Sequence, residues 1–405
     1  MLSLRERTSR ILEEADLPLE VVILLVAGMI MLISGVLLIP VSRGILPYHE
    51  GGLYGLLLVV FALQIITLGK TPIGDLRRSK ALLSVGTMIA AMGITTCFVP
   101  GVFDLVSQVL LFICLVPGGL FLLLQMFLSR EKFRAWAHYG GIFRHLIVGC
   151  GSVYGLSVLI GLLVVKPGVL KIPLAAPAFM SYGSAIVYLA LVLRKVYLMY
   201  PEAETSHRGS AGISVDKAMI LLMGVFMLLL GVLLIPVNLG LLPFSAGAQL
   251  GLLMVIFAVQ MLAFGNTPLG PFFRSWLVIF FGFLFAALGI VSCVIPDILV
   301  SPLTVFVGVL NILGGVLTLG KTCRSLLEKP EGSRAPFPPV LVKLFAAMVT
   351  MNLVTILFGA SMLVSHLIDG LIIGVILAVN GCLLLYLMHL LIVIEEMERV
   401  KASTP

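Results

Sequence analysis

Charge is what this 405-residue chain lacks: Asp, Glu, Lys and Arg together make up 11% of it. A soluble domain carries about 25%, so the polar residues here cannot cover a water-facing surface. Catalytic and metal-binding signatures are missing as well. There is no H-E-x-x-H, no closely spaced Cys/His cluster and no G-x-S-x-G, which leaves zinc-peptidase and serine-hydrolase chemistry without its parts. No catalytic residue, metal ligand or cofactor is therefore expected, and the chain does not read as an enzyme. A cleavable signal peptide is not expected either: the first strongly apolar stretch starts near Val21, is too long for a signal h-region and has no A-x-A site after it.

What is there is apolar length. Hydrophobic residues are 60% of the chain and the mean hydropathy is +1.19. Runs long enough for a hydrocarbon core of about 30 Å recur from end to end. They are continuous rather than alternating, so helices rather than barrel strands satisfy the backbone inside the bilayer. We read an all-α polytopic membrane protein with about twelve transmembrane helices. The spans fall near 20–42, 51–69, 81–100, 104–127, 141–165, 174–198, 217–238, 246–265, 275–295, 300–320, 339–364 and 370–394. On this layout about 23 basic residues sit on the side of both termini, and Arg43, Lys166 and Lys171 on the other. Such a bias places both termini in the cytoplasm and accounts for the net charge of +7 as topology. A nucleic-acid partner is not expected; the bilayer is. Short loops without an N-x-S/T acceptor fit a plasma or inner membrane.

The chain also repeats itself. At an offset of 196, Gly35–Pro100 aligns without a gap on Gly231–Pro296, with 31 of 66 positions identical. "GVLLIP" occurs at 35–40 and 231–236, and Gly118-Gly119 return as Gly314-Gly315. We therefore expect a first six-helix repeat at 1–199, a polar cytoplasmic linker at 200–217 and a second repeat at 218–405. Six spans per repeat make the two repeats parallel. Glycines spaced by seven (Gly28/Gly35, Gly86/Gly93, Gly224/Gly231 and Gly282/Gly289) each precede a proline. That spacing puts small residues on one helix face, and each pair of consecutive spans reads as a hairpin.

Glycine-spaced hairpins ending in Pro, over 28–69, 86–127, 224–265 and 282–320, resemble the HdeD-type acid-resistance membrane proteins. The resemblance implies a stress-protection role and carries no catalytic residue with it. The size and 6+6 layout are similar to major-facilitator transporters. The family's G-x-x-x-D-R/K-x-G-R-R/K loop has a partial counterpart in "GKTPIGDLRRSK", where Asp75, Arg77, Arg78 and Lys80 are present, the spacing differs and the second Gly is missing.

That loop recurs as "GNTPLGPFFRS" at 265–275. Gly69/Gly265, Thr71/Thr267, Pro72/Pro268, Gly74/Gly270, Arg78/Arg274 and Ser79/Ser275 are kept, whereas Asp75, Arg77 and Lys80 become Pro271, Phe273 and Trp276. The kept set reads as a tight turn: Gly as a left-handed helix cap, Thr-Pro as an N-cap and first helical position, Arg as a headgroup anchor.

Candidate site residues are few. Gln64 and Gln260 occupy matching positions on the second and eighth spans and are placed to line one cavity or to bond across helices. Asn352 and Asn380, on the last two spans, have no amide counterpart in the first repeat. "GCGSVYG" at 149–155 reads as small-residue helix packing. Cys97 and Cys293 are related by the duplication and are candidates for a disulfide, although buried free thiols are the simpler reading. "RGILPYHEGG" at 43–52 and "SHLIDG" at 365–370 place His beside acid, a pattern that can sense pH. Functionally the chain reads as a transporter or permease for a small, weakly charged or apolar solute, with other membrane subunits as further partners. The alternative is a non-transporting scaffold, complex subunit or stress-protection protein.

Overall fold

The computed structural model describes residues 17–71, 74–75, 79–128, 141–165, 174–200, 215–327, 339–364 and 368–403. Among them are twelve helices long and apolar enough to cross a membrane. In chain order these are α1 (Leu19–Ser42), α2 (Glu50–Leu68), α3 (Lys80–Phe98), α4 (Asp104–Leu128), α5 (Ile142–Val165), α6 (Ala175–Met199), α7 (Val215–Asn238), α8 (Ala246–Phe264), α9 (Trp276–Val294), α10 (Val300–Leu327), α11 (Pro339–Leu363) and α12 (Gly370–Ser403). Span edges agree with the sequence reading to within two residues, except that α10 and α12 continue to Leu327 and Ser403. The protein is an all-α, multi-pass membrane protein. Most of the 200–217 linker lies outside the described residues.

The helices form two compact units. One contains α1 to α6 together with α8 and α9; the other contains α7, α10, α11 and α12. The α8–α9 hairpin of the later sequence repeat thus packs with the earlier one.

In the first unit the centre is built by glycine. A Cβ on Gly55 of α2 would lie 2.3 Å from the Gly93 carbonyl oxygen of α3, and one on Gly93 2.8 Å from that of Gly55. Gly251 and Gly289 make the same reciprocal contact between α8 and α9, at 2.4 and 2.5 Å. Cys97 donates to Gly52 O (3.5 Å) and Cys293 to Ala248 O (3.4 Å), so each thiol is free and bonded within its own hairpin rather than in a disulfide. The hairpins then meet through two backbone bonds: His49 N donates to Val294 O and Ser245 N to Phe98 O, both at 3.0 Å. The offset of 196 turns one bond into the other. Caught between these contacts, α2 and α8 are 83% and 89% buried along their apolar lengths. Being apolar on every side suits a helix that is walled in all round.

The remaining close pairs correct the hairpin expectation for the first glycine pair of each repeat. Gly28 and Gly35 pack on α6, where a Cβ on Gly183 would sit 2.8 Å from Gly28 O. In the second unit Gly231 and Gly374 bring α7 and α12 together in the same way, at 2.5 and 3.0 Å. Small residues set the partner because a Cβ-free face lets two backbones touch, and the small faces opposite α1 and α7 belong to the sixth helix of each repeat. Gly86 and Gly93, by contrast, do face the span next to them, α2.

The repeated loop is a tight turn, with its roles distributed differently from the sequence expectation. Gly69 and Gly265 are left-handed C-caps (φ 68° and 72°). Thr71 and Thr267 do not cap helices: their hydroxyls donate to Gly74 O (2.7 Å) and Gly270 O (2.8 Å), closing the turn. The N-caps are Ser79 and Ser275, which accept from Leu82 N (3.1 Å) and Val278 N (3.5 Å). Arg274 Nη1 donates to the carbonyls of Leu17 (3.0 Å) and Ala263 (2.9 Å), so its guanidinium ties chain segments together instead of reaching only for headgroups. Pro72 and Arg78 lie outside the described residues.

Replacing Gly251 by Leu overpacks the α8–α9 contact and is expected to lower stability by about 1–3 kcal/mol. Gly155 has nothing within 4 Å of its added Cβ, so Gly155→Ala serves as the neutral control. Melting of the detergent-solubilised variants, followed by size-exclusion chromatography, separates the two.

Candidate functional site

Five helices of the first unit, α1, α2, α4, α5 and α6, surround a cavity of about 650 Å³. Its volume is that of a drug-sized ligand pocket. Along α1 the lining runs from Glu20 at the helix start to Met31 in its middle; along α2 it runs from Leu57 through Gln64 to Leu68, and then to Lys70 and Thr71 of the turn. The chamber therefore spans from mid-helix depth to the helix ends on one side. Every lining residue lies between positions 20 and 197, in the first six helices.

Its polar groups are concentrated at the helix-end side. Glu20 and Lys70 form an ion pair, and Tyr197 Oη donates to the other Glu20 carboxylate oxygen at 2.7 Å. The side chain of Glu20 is 13% exposed and that of Lys70 32%. Taking a carboxylate this far out of water is unfavourable unless it is paired and hydrogen-bonded, and the Lys ammonium and Tyr hydroxyl meet that need. Deeper in, Ser157 Oγ donates to Tyr154 O (2.8 Å) and Leu115 O (3.3 Å), leaving a wall of aliphatic and aromatic side chains. The second unit has a comparable polar tie between α7 and α12, with the charges exchanged: Lys217 with Glu395.

The sequence candidates are separated by this geometry. Gln64 lines the cavity, and Gln260, on α8, is not among its lining residues. Asn352 is buried with its amide donating to Met348 O one turn back (2.9 Å), and its backbone carbonyl packs under Gly315. Asn380 is also buried, and its Oδ1 has no hydrogen-bond partner among the described residues. The "GCGSVYG" segment does two things: Gly149 packs on Leu189, as helix packing requires, while Cys150, Val153 and Tyr154 line the cavity. The sequence reading missed Glu20, Lys70, Tyr197 and Gln125. Lys70 counts in the sequence only toward the charge bias and Glu20 lies at the edge of the first span, and only the packing of α1, α6 and the turn brings them to one place.

At the opposite end of α2 the His-and-acid stretch of 43–52 is ordered. His49 is buried near Asp104, and Tyr48 is half-buried beside it with its phenol oxygen out of water; the His of 365–370 lies outside the described residues. Burial pushes the His49 imidazolium below its ordinary value of 6.5, while the Asp104 charge and the Cys293 carbonyl pull in the other direction. Burial, with help from the Tyr54 and acidic charges nearby, pushes the Tyr48 phenol well up.

Comparison with models of known families, with curated proteins and with solved structures finds no match to this chain. The chain is therefore classed by its own architecture, an integral polytopic membrane protein with twelve candidate spans, and the HdeD-like and major-facilitator likenesses rest on the quoted residues alone.

A His whose folded pKa is depressed binds its proton more readily in the unfolded chain. The stability it contributes is thus complete above 6.5 and falls as the pH drops below that value. Melting temperatures measured from pH 7.5 to pH 5 are expected to decline, and His49→Asn is expected to flatten the decline.

Proposed function

We propose that the protein is a transporter for a small solute, with the cavity of the first six helices as its binding chamber. The observation that supports this reading most directly is the chamber itself. A volume of about 650 Å³ reaches from mid-helix depth, beside Gln64, to the helix ends at Glu20 and Lys70. Solute sites of duplicated transporters commonly form near the midplane from helices of the repeats. Here the chamber is one-sided: it belongs to the first repeat, and the second contributes the α8–α9 hairpin that backs α2 and α3. We read the repeats as parallel and both termini as cytoplasmic, on the even span number and the placement of the basic residues. The Glu20 end of the chamber then opens toward the cytoplasm of a plasma or inner membrane. We read the chain as a carrier and not an enzyme, because the carboxylate on the chamber wall is held by an ion pair and a tyrosine rather than set against a nucleophile.

Purified protein tests this in two steps. A solute that enters the chamber raises Tm through binding to the folded state alone, and the same solute is taken up by proteoliposomes. Gln64→Leu is expected to reduce both effects, while Gln260→Leu, away from the chamber, leaves the Tm response in place. Equal loss in both variants, or uptake that ignores Gln64, rules the chamber out as the route.

A further inference from the structure

We infer that the chamber takes a lipophilic monocation, and that Lys70 is a tethered competitor for its place. The inference rests on reading the cavity as a binding chamber and adds the chemical class of what it binds.

Three observations converge. The first is the charge set. Among the described residues Glu20 is the one carboxylate and Lys70 the one ammonium on the cavity wall, and they neutralise each other. Their mountings differ, however. Glu20 sits in the first turn of α1, is more buried, and is held through its second oxygen by Tyr197. Lys70 stands on a two-residue strand of the 69–75 turn, and its side chain is more than twice as exposed as that of Glu20. When the pair opens, the carboxylate stays and the ammonium swings out, because a Lys stem is flexible and its head is strongly hydrated. The group left facing the chamber is an anion.

The second observation is the wall. Phe61, Phe143, Tyr154, Tyr182 and Tyr197 all line the cavity. Aromatic faces carry negative electrostatic potential and attract cations, most strongly where water is excluded. An organic anion meets the same faces with the opposite sign. The third is shape: aliphatic side chains such as Met31, Leu57 and Leu115 close the deep end, leaving room for an apolar body and little for a hydrated ion. A delocalised positive charge on an apolar frame satisfies all three conditions. A metal ion does not, since no cluster of His, Cys, Asp and Glu able to hold one occurs among the described residues.

Tetraphenylphosphonium and tetraphenylborate share one shape and carry opposite charges, and they make the test. Equilibrium binding of each is measured to the full-length protein in detergent, with Glu20→Gln, Glu20→Asp and Lys70→Met beside the wild type and monodispersity checked for each. Wild type is expected to bind the phosphonium and to bind the borate far more weakly. Glu20→Gln is expected to weaken the phosphonium at least about tenfold, as loss of a charged partner does, and Glu20→Asp to restore part of the affinity. Lys70→Met, which removes the competitor, is expected to tighten it. Equal or tighter borate binding overturns the proposal, as does phosphonium binding indifferent to Glu20 or weakened by Lys70→Met. Should Glu20→Gln fail to fold, the comparison of the two probes on wild type and Lys70→Met decides alone. The outcomes also separate the two readings. Phosphonium binding without uptake into proteoliposomes keeps the cation site and removes transport. Gln64-dependent uptake of a neutral or anionic solute keeps the chamber and removes the cation site. Binding of neither probe, with no uptake, removes both.

Discussion

Close approach of backbones at glycine is the contact on which the rest of this structure depends. Between helices in lipid there is no hydrophobic driving force, since acyl chains are as apolar as leucine, and association comes from van der Waals packing and hydrogen bonds. The Gly55/Gly93 and Gly251/Gly289 pairs remove the side chains that would hold two helices apart. The bonds from His49 N to Val294 O and from Ser245 N to Phe98 O then join the two hairpins. With α2 and α8 walled in, α1 and α4 have a fixed surface to pack against, α5 and α6 pack on α4 and α1, and the cavity is the space they leave beside α2.

Between the two copies the close-contact glycines within each hairpin and its thiol are kept, while polar positions at both ends of α2 are not. Gly55, Gly93 and Cys97 return as Gly251, Gly289 and Cys293. Lys70 has Asn266 as its counterpart, and at the far end of the helix His49, Glu50 and Tyr54 are replaced by Ser245, Ala246 and Leu250. Polar and ionisable groups inside a membrane are costly unless something partners them. Glu20, Lys70 and Tyr197 satisfy one another in the first unit, and Lys217 and Glu395 do so in the second.

Much of the fold was legible in the sequence for physical reasons. Apolar length fixes where helices can span, and the proline and glycine punctuation fixes where they stop. The tight turn was legible as a turn, but its chemistry was misassigned: Thr71 looks like an N-cap beside Pro72, whereas its hydroxyl closes the turn on Gly74 and Ser79 does the capping. Glycine spacing announced close approach without naming the partner, because a small face is complementary to any other small face. The candidate site was half legible. Gln64 stood out as a polar residue in an apolar run and does line the cavity. Glu20, Lys70 and Tyr197 are far apart in the chain and lie at helix ends, where charge is ordinary, so nothing local distinguishes them from topology signals.

The exchanged bonds between the hairpins have the form of an isologous contact, in which each side offers the same patch to the other. Between two separate chains such a contact forms only as concentration allows, and every substitution strikes both sides at once. Within one chain the partner is always present, at an effective concentration set by the connecting segment, and each side mutates alone. Gly52, against the Cys293 carbonyl, already has Ala248 as its counterpart. A symmetric joint held in one polypeptide lets an asymmetric interior drift away from its twin without loosening the joint.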